Sequence, residues 1–346
     1  MSDGKTGTFV KIVMPVVIGI AVVVWLFHDE FSREQLPSIN CDFHLLAAIA
    51  IGCGCIFGRD WGMSWRFRIL TDRELSWRQS VKTTMLCEFT SAITPSSVGG
   101  GALSMIFLNR EGINMGRATT LTLTTLFLDE LFFVISCPVI VTLMPDESLF
   151  GFSDNEFALW LKISFWIIYS VIFVWTAILF LGIIVKPRAT RDIVVGLFSW
   201  KPLRRWKIKM TSVGDNMLST SYALKSRSPG WFMKAFAATS ISWLSRYLLV
   251  NALFWGFYPD ASQLTVFGRQ FIVWAILMVS PTPGGSGVSE YLFTQYYGDL
   301  ISGSGLVLLL AMFWRVMSYY IYLIAGIFLL PSFLRASKRL NNNKST

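Results

Sequence analysis

The sequence has few of the residues that build metal and redox sites. Its 346 residues include two histidines, His28 and His44, and five cysteines without a CxxC pair. Zinc, haem and disulfide frameworks need more such residues at defined spacings, so we expect no metal and no other cofactor. The GGSG run at 284–287 has no glycine two residues after its serine, and no GK[ST] follows it. It is therefore neither a nucleophile elbow nor a P-loop, which disfavours conventional hydrolase and nucleotide-hydrolysing functions.

Charge is also scarce. Charged residues make up 15% of the chain and hydrophobic ones 53%, with a mean hydropathy of +0.54. An ordinary soluble domain of this length is less apolar, so the composition predicts an all-α polytopic membrane protein. The net charge of +9 would suit nucleic acid, but a membrane protein with a basic cytoplasmic side gives the same sum. The charge distribution favours the membrane interpretation, without a nucleic-acid partner.

Loop charges predict the topology. Residues 186–230 and the tail 332–346 are basic, whereas 28–42 and 145–157 are acidic. The positive-inside rule therefore predicts a single multi-pass membrane domain, 1–346, with cytoplasmic N- and C-termini. Six full spans are predicted, at residues 9–27, 43–57, 119–144, 158–185, 231–257 and 306–330.

Two stretches mix basic and aromatic residues. Residues 58–82 contain six basic and four interleaved aromatic residues, which predicts an amphipathic helix at the cytoplasmic interface. The stretch 200–209, WKPLRRWKIK, resembles a nucleic-acid or calmodulin-type patch in isolation. Because it lies between two spans, contact with anionic lipid is the favoured interpretation for this cytoplasmic loop.

Two proline- and glycine-rich breaks interrupt hydrophobic segments. Segment 83–108 contains TPSSVGG at 94–100, and segment 266–297 contains SPTPGGSGVSE at 280–290. Non-helical backbone at membrane depth is tolerated only where protein or a water-filled cavity covers it. We therefore predict two re-entrant helical hairpins. The loop charges make them enter from opposite sides, as in an inverted repeat of regions 9–144 and 231–331. An alternative count gives seven or eight spans.

The two breaks form the predicted substrate site, because helix N-termini favour anions and glycine lets a ligand approach the backbone. Glycines that only permit close packing are the alternative. The predicted substrate-binding residues are Thr94, Pro95, Gly99, Gly100, Pro281, Pro283, Gly284, Gly285, Gly287, Glu290 and Arg315.

Ionisable residues inside spans are costly, so they are functional candidates that need partners. Arg246 and Arg315 could neutralise Asp129 or Glu290, or one of them could be left free for a lipid phosphate, with Arg315 and Glu290 as the favoured pair. A purely structural ion pair is the alternative. The candidates for ion or proton coupling or for charge pairing are Glu88, Asp129, Glu130 and Arg246.

The two break motifs resemble those of a known family. TPSSVGG before NREG, and SPTPGGSGVSE before FWRVMSYYIYLIAG, are similar to the membrane region of lysylphosphatidylglycerol synthases and to its stand-alone flippase-like relatives. The resemblance covers residues 9–331 and implies a polytopic inner-membrane protein that binds or translocates lipid. The residues it implies as shared are Pro95, Gly99, Pro283, Gly284, Gly285, Gly287, Glu290 and Arg315. The LDEL sequence at 128–131 departs from the acidic–basic pair common in the family.

The function predicted from these features is a lipid transporter. It would move or bind an anionic headgroup, of a phospholipid or an isoprenoid phosphate, in a passive or ion-coupled process. With about fifteen residues after the last predicted span, synthesis of a lysyl-lipid by this chain alone is not expected. One alternative is an intramembrane headgroup or glycosyl transferase using Asp129 and Glu130, although adjacent helical residues point about 100° apart. The other alternative is a scaffold that does not transport lipid. A homo-oligomer is possible on the sequence.

Overall fold

The computed structural model describes residues 43–94, 98–151, 156–198, 207–282, 284–301 and 304–329. Within these ranges the regular elements are helical and no strand occurs, which confirms the predicted all-α polytopic membrane architecture. We number the α-helices along the chain: α1 (Phe43–Leu70), α2 (Trp77–Ile93), α3 (Val98–Arg110), α4 (Met115–Leu143), α5 (Asp146–Phe150), α6 (Glu156–Phe180), α7 (Pro187–Leu197), α8 (Lys207–Lys225), α9 (Pro229–Phe257), α10 (Gln263–Met278), α11 (Val288–Tyr297) and α12 (Ser304–Arg315).

Three shorter turns complete these elements. A π-helical turn, Leu181–Val185, prolongs α6, and a 3₁₀ turn, Gly298–Leu300, follows α11. Helix α12 continues through a second π-helical turn, Val316–Tyr320, and this apolar helix reaches Leu329.

Among the described residues, four helices are long and apolar enough to cross a membrane: α1, α4, α6 with its π turn, and Leu306–Leu329. They carry four of the six predicted spans. The predicted span 231–257 lies in α9, which at 29 residues is as long as α4 but is not among the four. The predicted span 9–27 and the basic tail 332–346 lie outside the described residues.

Helix α6 exposes apolar side chains along its length. Trp160 is 52% exposed, Val171 63% and Ile178 53%. A soluble monomer rarely exposes a continuous apolar surface of this kind. The helix therefore presents the surface expected of a segment in contact with lipid.

The prediction of a separate interfacial helix over 58–82 is wrong. Helix α1 runs without interruption from Phe43 to Leu70, and the two arginines at 59 and 66 are 4% and 2% exposed. A new helix, α2, begins only at Trp77, after Ser76 forms a capping box with Gln79. The first half of the basic stretch thus belongs to a long helix in which Arg59 and Arg66 are buried.

Close packing of α1 on α9 explains how these arginines are buried. A Cβ atom on Gly62 would lie 2.7 Å from the backbone oxygen of Ala238, so only glycine allows the two helices this approach. One turn away, the Ser242 hydroxyl donates to the Arg59 carbonyl at 2.9 Å. The contact holds one side of α1 against α9, and Arg59 and Arg66 form ion pairs inside the protein.

Both predicted breaks separate pairs of helices. The first lies between α2 and α3, and the second between α10 and α11. An aromatic core packs beside the second break, with ring centroids 4.7 Å apart for Phe133 and Trp274 and 4.5 Å apart for Tyr247 and Phe271. The core therefore holds α4, α9 and α10 together around the region where the broken helices end.

The predicted cytoplasmic loop 186–230 contains the two helices α7 and α8, which pack against each other. Arg191 on α7 donates to Asp215 on α8 at 2.9 Å, and α8 also packs on α4. Residues 199–206 lie outside the described residues, so most of the predicted lipid-contact stretch 200–209 does too.

Candidate functional site

The two helix breaks contact each other. The backbone N–H of Gly284 in the second break donates to the Thr94 carbonyl at the end of α2, at 3.2 Å. The hydroxyl of Tyr319 donates to the Ala92 carbonyl at 3.1 Å and lies 3.4 Å from the Ser286 hydroxyl. Residues 190 or more positions apart in sequence are thus joined by hydrogen bonds. Pro95 and Pro283 lie outside the described residues.

Gly284 fits this contact because of both its backbone and its lack of a side chain. Its φ is +56°, a region that L side chains rarely adopt. A Cβ atom there would lie 2.9 Å from the Ala92 carbonyl oxygen and would collide with the Tyr319 ring. Gly285 and Gly287 also have positive φ values, of 71° and 81°. The second break therefore depends on glycine for its path.

The other predicted break residues take different positions. Gly99 and Gly100 lie in the first turn of α3, where a Cβ on Gly100 would collide with Ser91 and with the Cys87 carbonyl of α2. Gly100 thus allows α2 and α3 to pack closely. Pro281 is exposed.

Glu290 and Arg315 form the favoured ion pair. Arg315 Nε donates to Glu290 Oε1 at 2.7 Å, and both side chains are buried. Glu290 Oε2 accepts from the Gly287 N–H at 2.7 Å and from the Ser289 hydroxyl at 2.8 Å. The remaining guanidinium nitrogens donate to the Gly284 carbonyl and the Ser286 hydroxyl, each at 3.2 Å. This pair fixes the second break to α11 and α12.

Glu88 on α2 has two arginine partners. Its Oε2 accepts from Arg59 on α1, and its Oε1 accepts from Arg246 on α9 at 2.9 Å. Arg59 also donates to the Ser318 carbonyl at 3.2 Å. The Nε atoms of both arginines are buried without a hydrogen-bond partner. One carboxylate therefore serves two guanidinium groups that still have unused donors.

Asp129 on α4 is paired with Arg66. It accepts from Arg66 at 2.5 Å and from the Trp243 indole N–H at 2.7 Å. Of the alternatives left open for Arg246, pairing with Asp129 or Glu290 is not what the structure has: Arg246 bonds Glu88, another charge-pairing candidate, and α1 brings Arg66 to Asp129. This ion pair does not favour Asp129 as half of an acid–base pair with Glu130. Glu130 is 4% exposed, and its Oε2 has no hydrogen-bond partner.

Two cavities lie between these groups. The first has a volume of about 140 Å³ and is lined by Arg59, Glu88, Arg246, Arg315 and the Gly284–Gly285 backbone, with apolar walls from Trp274, Leu277 and Trp314. The second, of about 100 Å³, is lined by Arg66, Asp129 and Glu130. Glu88, Ser91, Arg246 and Trp274 border both cavities. We call them the arginine cavity and the acidic cavity.

The arginine cavity combines charge with aromatic rings. The Arg59 guanidinium lies 4.4 Å from the Tyr322 ring centroid, Arg246 lies 4.7 Å from that of Trp243, and Arg315 lies 4.1 Å from that of Tyr319. Stacking of this kind holds a guanidinium plane in place without using its hydrogen-bond donors. Asp60, the neighbour of Arg59, accepts from Tyr322 at 2.9 Å and does not line the cavity.

Arg59 and Arg66 are the site residues that the sequence interpretation missed. They stand seven residues apart, about two helical turns, and so share one face of α1. That spacing was the available signal. It was overlooked because interleaved tryptophans and further basic residues resemble a helix lying on a membrane surface.

The comparisons with known proteins agree with this architecture. The family model described as lysylphosphatidylglycerol synthase TM region matches residues 12–326. A "UPF0104 membrane protein" from Archaeoglobus fulgidus is 24% identical over 341 residues, which cover 94% of this chain and 98% of the relative. No solved structure matches the chain.

Proposed function

Since the chain belongs to the family described as the lysylphosphatidylglycerol synthase TM region, we propose that it is a lipid transporter. In this proposal the arginine cavity binds the anionic headgroup of a membrane lipid, either a phospholipid or an isoprenoid phosphate. The acyl or isoprenoid chain stays in the bilayer while the headgroup moves between the two helix breaks.

The sharing of Glu88 between Arg59 and Arg246 carries this proposal. The charged side chains of the arginine cavity and their ion-pair partners are three arginines and two glutamates, Glu88 and Glu290. Among these five side chains the arginines outnumber the glutamates by one, while Asp60 acts on Arg59 and Arg246 from outside the lining. An uncompensated charge inside a membrane protein is costly. A monoanionic headgroup that entered the cavity would remove the excess charge.

The geometry of the arginine cavity supports the same ligand class. Arginine presents a planar set of donors that matches the oxygens of a phosphate, and Arg59 and Arg246 retain unused buried Nε donors. The volume of about 140 Å³ is roughly ten times the minimum that holds one water molecule. The apolar walls suit the glycerol or isoprenoid end of an amphipathic lipid.

The inverted arrangement of the breaks belongs to the proposal. Two re-entrant hairpins that enter from opposite sides of the inner membrane would give the headgroup a polar path from each side to the contact between Gly284 and Thr94. The basic segment 186–230 would rest on anionic lipid of the cytoplasmic leaflet, where each lysine or arginine contributes about 1 kcal/mol.

Reconstitution in vesicles tests the proposal directly. The full chain is placed in vesicles that contain a fluorescent phosphatidylglycerol, and dithionite quenching reports how much of the label reaches the outer leaflet. We expect faster exchange than in empty vesicles. We expect Arg246→Gln to lower the rate by about ten- to a hundredfold, because loss of one charge-assisted hydrogen bond costs about 1.5–3 kcal/mol and each 1.4 kcal/mol is about tenfold.

Arg78→Gln is the matched control, since Arg78 is exposed near the start of α2, away from both cavities. Exchange equal to that of empty vesicles, over a panel of anionic phospholipids and isoprenoid phosphates, would refute transport. An equal rate for Arg246→Gln and Arg78→Gln would refute the role of the arginine cavity.

A further inference from the structure

The acidic cavity contains a carboxyl group that the proposed headgroup site does not use. Three glutamates are buried in the described part of the chain, and two of them, Glu88 and Glu290, are bonded to arginines. The third, Glu130, has no ion pair there, and its Oε2 lies buried without a hydrogen-bond partner. Burial of a carboxylate without a compensating partner is strongly unfavourable.

Charged and titratable groups from several helices surround Glu130. Arg66 of α1, Cys87 and Glu88 of α2, Asp129 of α4 and Arg246 of α9 line the same cavity, and Tyr247 of α9 is close enough to interact electrostatically. The walls from α3 and α10 are Gly101, Trp274 and Met278, which carry no titratable group. Both arginines are already bonded to other carboxylates, Arg66 to Asp129 and Arg246 to Glu88. Neither arginine forms an ion pair with Glu130 in the described part of the chain.

We propose that Glu130 is a proton-binding site, and that its proton uptake is coupled to entry of an anionic headgroup into the arginine cavity. The coupling rests on the proposed lipid transport, whereas the proton site does not. In the step itself a carboxylate oxygen of Glu130 forms an O–H bond with a proton released by a hydronium ion, which becomes water. No electron transfer and no other reactant are needed.

The shared wall of the two cavities explains the coupling. Glu88 and Arg246 border both, so an anion that bonds Arg246 from the arginine cavity adds negative charge close to Glu130. Charges interact more strongly in the low-dielectric interior of a protein than in water. Entry of a headgroup therefore favours the protonated form of Glu130, and its departure favours release of the proton.

Asp129 and Glu290 are less suited than Glu130 to reversible proton binding. Asp129 accepts from Arg66 and Trp243, while Glu290 accepts from Arg315, Gly287 and Ser289. Protonation of either would remove the negative partner of a buried arginine. Oε2 of Glu130 has no hydrogen-bond partner among the described residues, so a proton can bind there without displacing one.

Infrared difference spectroscopy tests the proton site without lipid. Spectra of the purified full chain are compared across a pH titration, and the carbonyl stretch of a protonated carboxyl group is followed. We expect a titrating band in the wild-type protein that Glu130→Gln lacks and that Glu147→Gln retains, since Glu147 is exposed on α5. Retention of the full band in Glu130→Gln would overturn the proposal.

A pH gradient across the vesicle membrane tests the coupling. We expect the gradient to change the rate of phosphatidylglycerol exchange several-fold in the wild-type protein and in Glu147→Gln, and to leave the rate of Glu130→Gln unchanged. A wild-type protein that exchanges lipid with no response to the gradient would overturn the coupling. If no lipid is exchanged at all, the transport proposal fails, and the infrared band still decides whether Glu130 binds the proton.

Discussion

At the second break, one carboxylate bonds one guanidinium. The remaining polar atoms of Glu290 and Arg315 form hydrogen bonds with the backbone and the serines of the break itself. Beside the first break, Glu88 bonds two guanidinium groups, which come from α1 and α9 and keep unused donors. The first arrangement is closed and the second is open. We infer from this difference that the Glu290–Arg315 pair stabilises the helix break, whereas the cluster around Glu88 has donors available to an anion.

Removal of the shared carboxylate gives the largest expected effect. Glu88→Gln leaves Arg59 and Arg246 without their counter-ion, and loss of one partner from a single buried pair already costs about 3–5 kcal/mol. We expect a loss of stability at the upper end of that range or beyond it, measured as the fall in Tm of the purified protein in detergent. Glu147→Gln, the same change at an exposed position of α5, is the control. Equal Tm values for the two variants would contradict the account of the cluster.

The closed pair is expected to be less sensitive. Glu290→Gln leaves one buried guanidinium uncompensated, so we expect a loss of about 3–5 kcal/mol, smaller than that of Glu88→Gln. Addition of Arg315→Met removes the stranded charge, and the double variant should regain part of the Tm. A double variant as unstable as the sum of the two single changes would mean that the ion pair is not the source of the loss.

The sequence predicted the closed pair, whereas in the open cluster it identified Glu88 and Arg246 as candidates but neither Arg59 nor the pairing of the three, for a physical reason. Proline and glycine specify local backbone, so the breaks at 94–100 and 280–290 could be located from the pattern alone. Glu290 is the last residue of the second break, and Arg315 follows it in the same repeat region, so the two could be matched. Glu88, Arg59 and Arg246 come from three distant helices. Their meeting depends on how α1 packs on α9, which no local pattern encodes.

The same limit explains the error at α1. A mixture of arginine and tryptophan over 58–82 is compatible with a surface helix and with a buried polar face, because periodicity does not state what a face contacts. Gly62, which lets α9 approach, was not recognised as a packing position. The predicted spans fared better where apolar composition alone decides, as in α4 and α6.

The smallest expected effect concerns the backbone of the closed break. Gly284→Ala forces a side chain onto a residue with φ of +56° and against the Tyr319 ring. We expect a loss of about 1–3 kcal/mol, the usual cost of one strained backbone position, because the ring has to shift as well. Gly230→Ala in the first turn of α9 is the matched control, since its added Cβ meets no atom within 4 Å. Alanine also favours helix over glycine by up to about 1 kcal/mol, so this control should keep or raise the Tm. If the two variants had the same Tm, the glycine at 284 would not be required by its conformation, and the closed break would owe its shape to Glu290 and Arg315 alone.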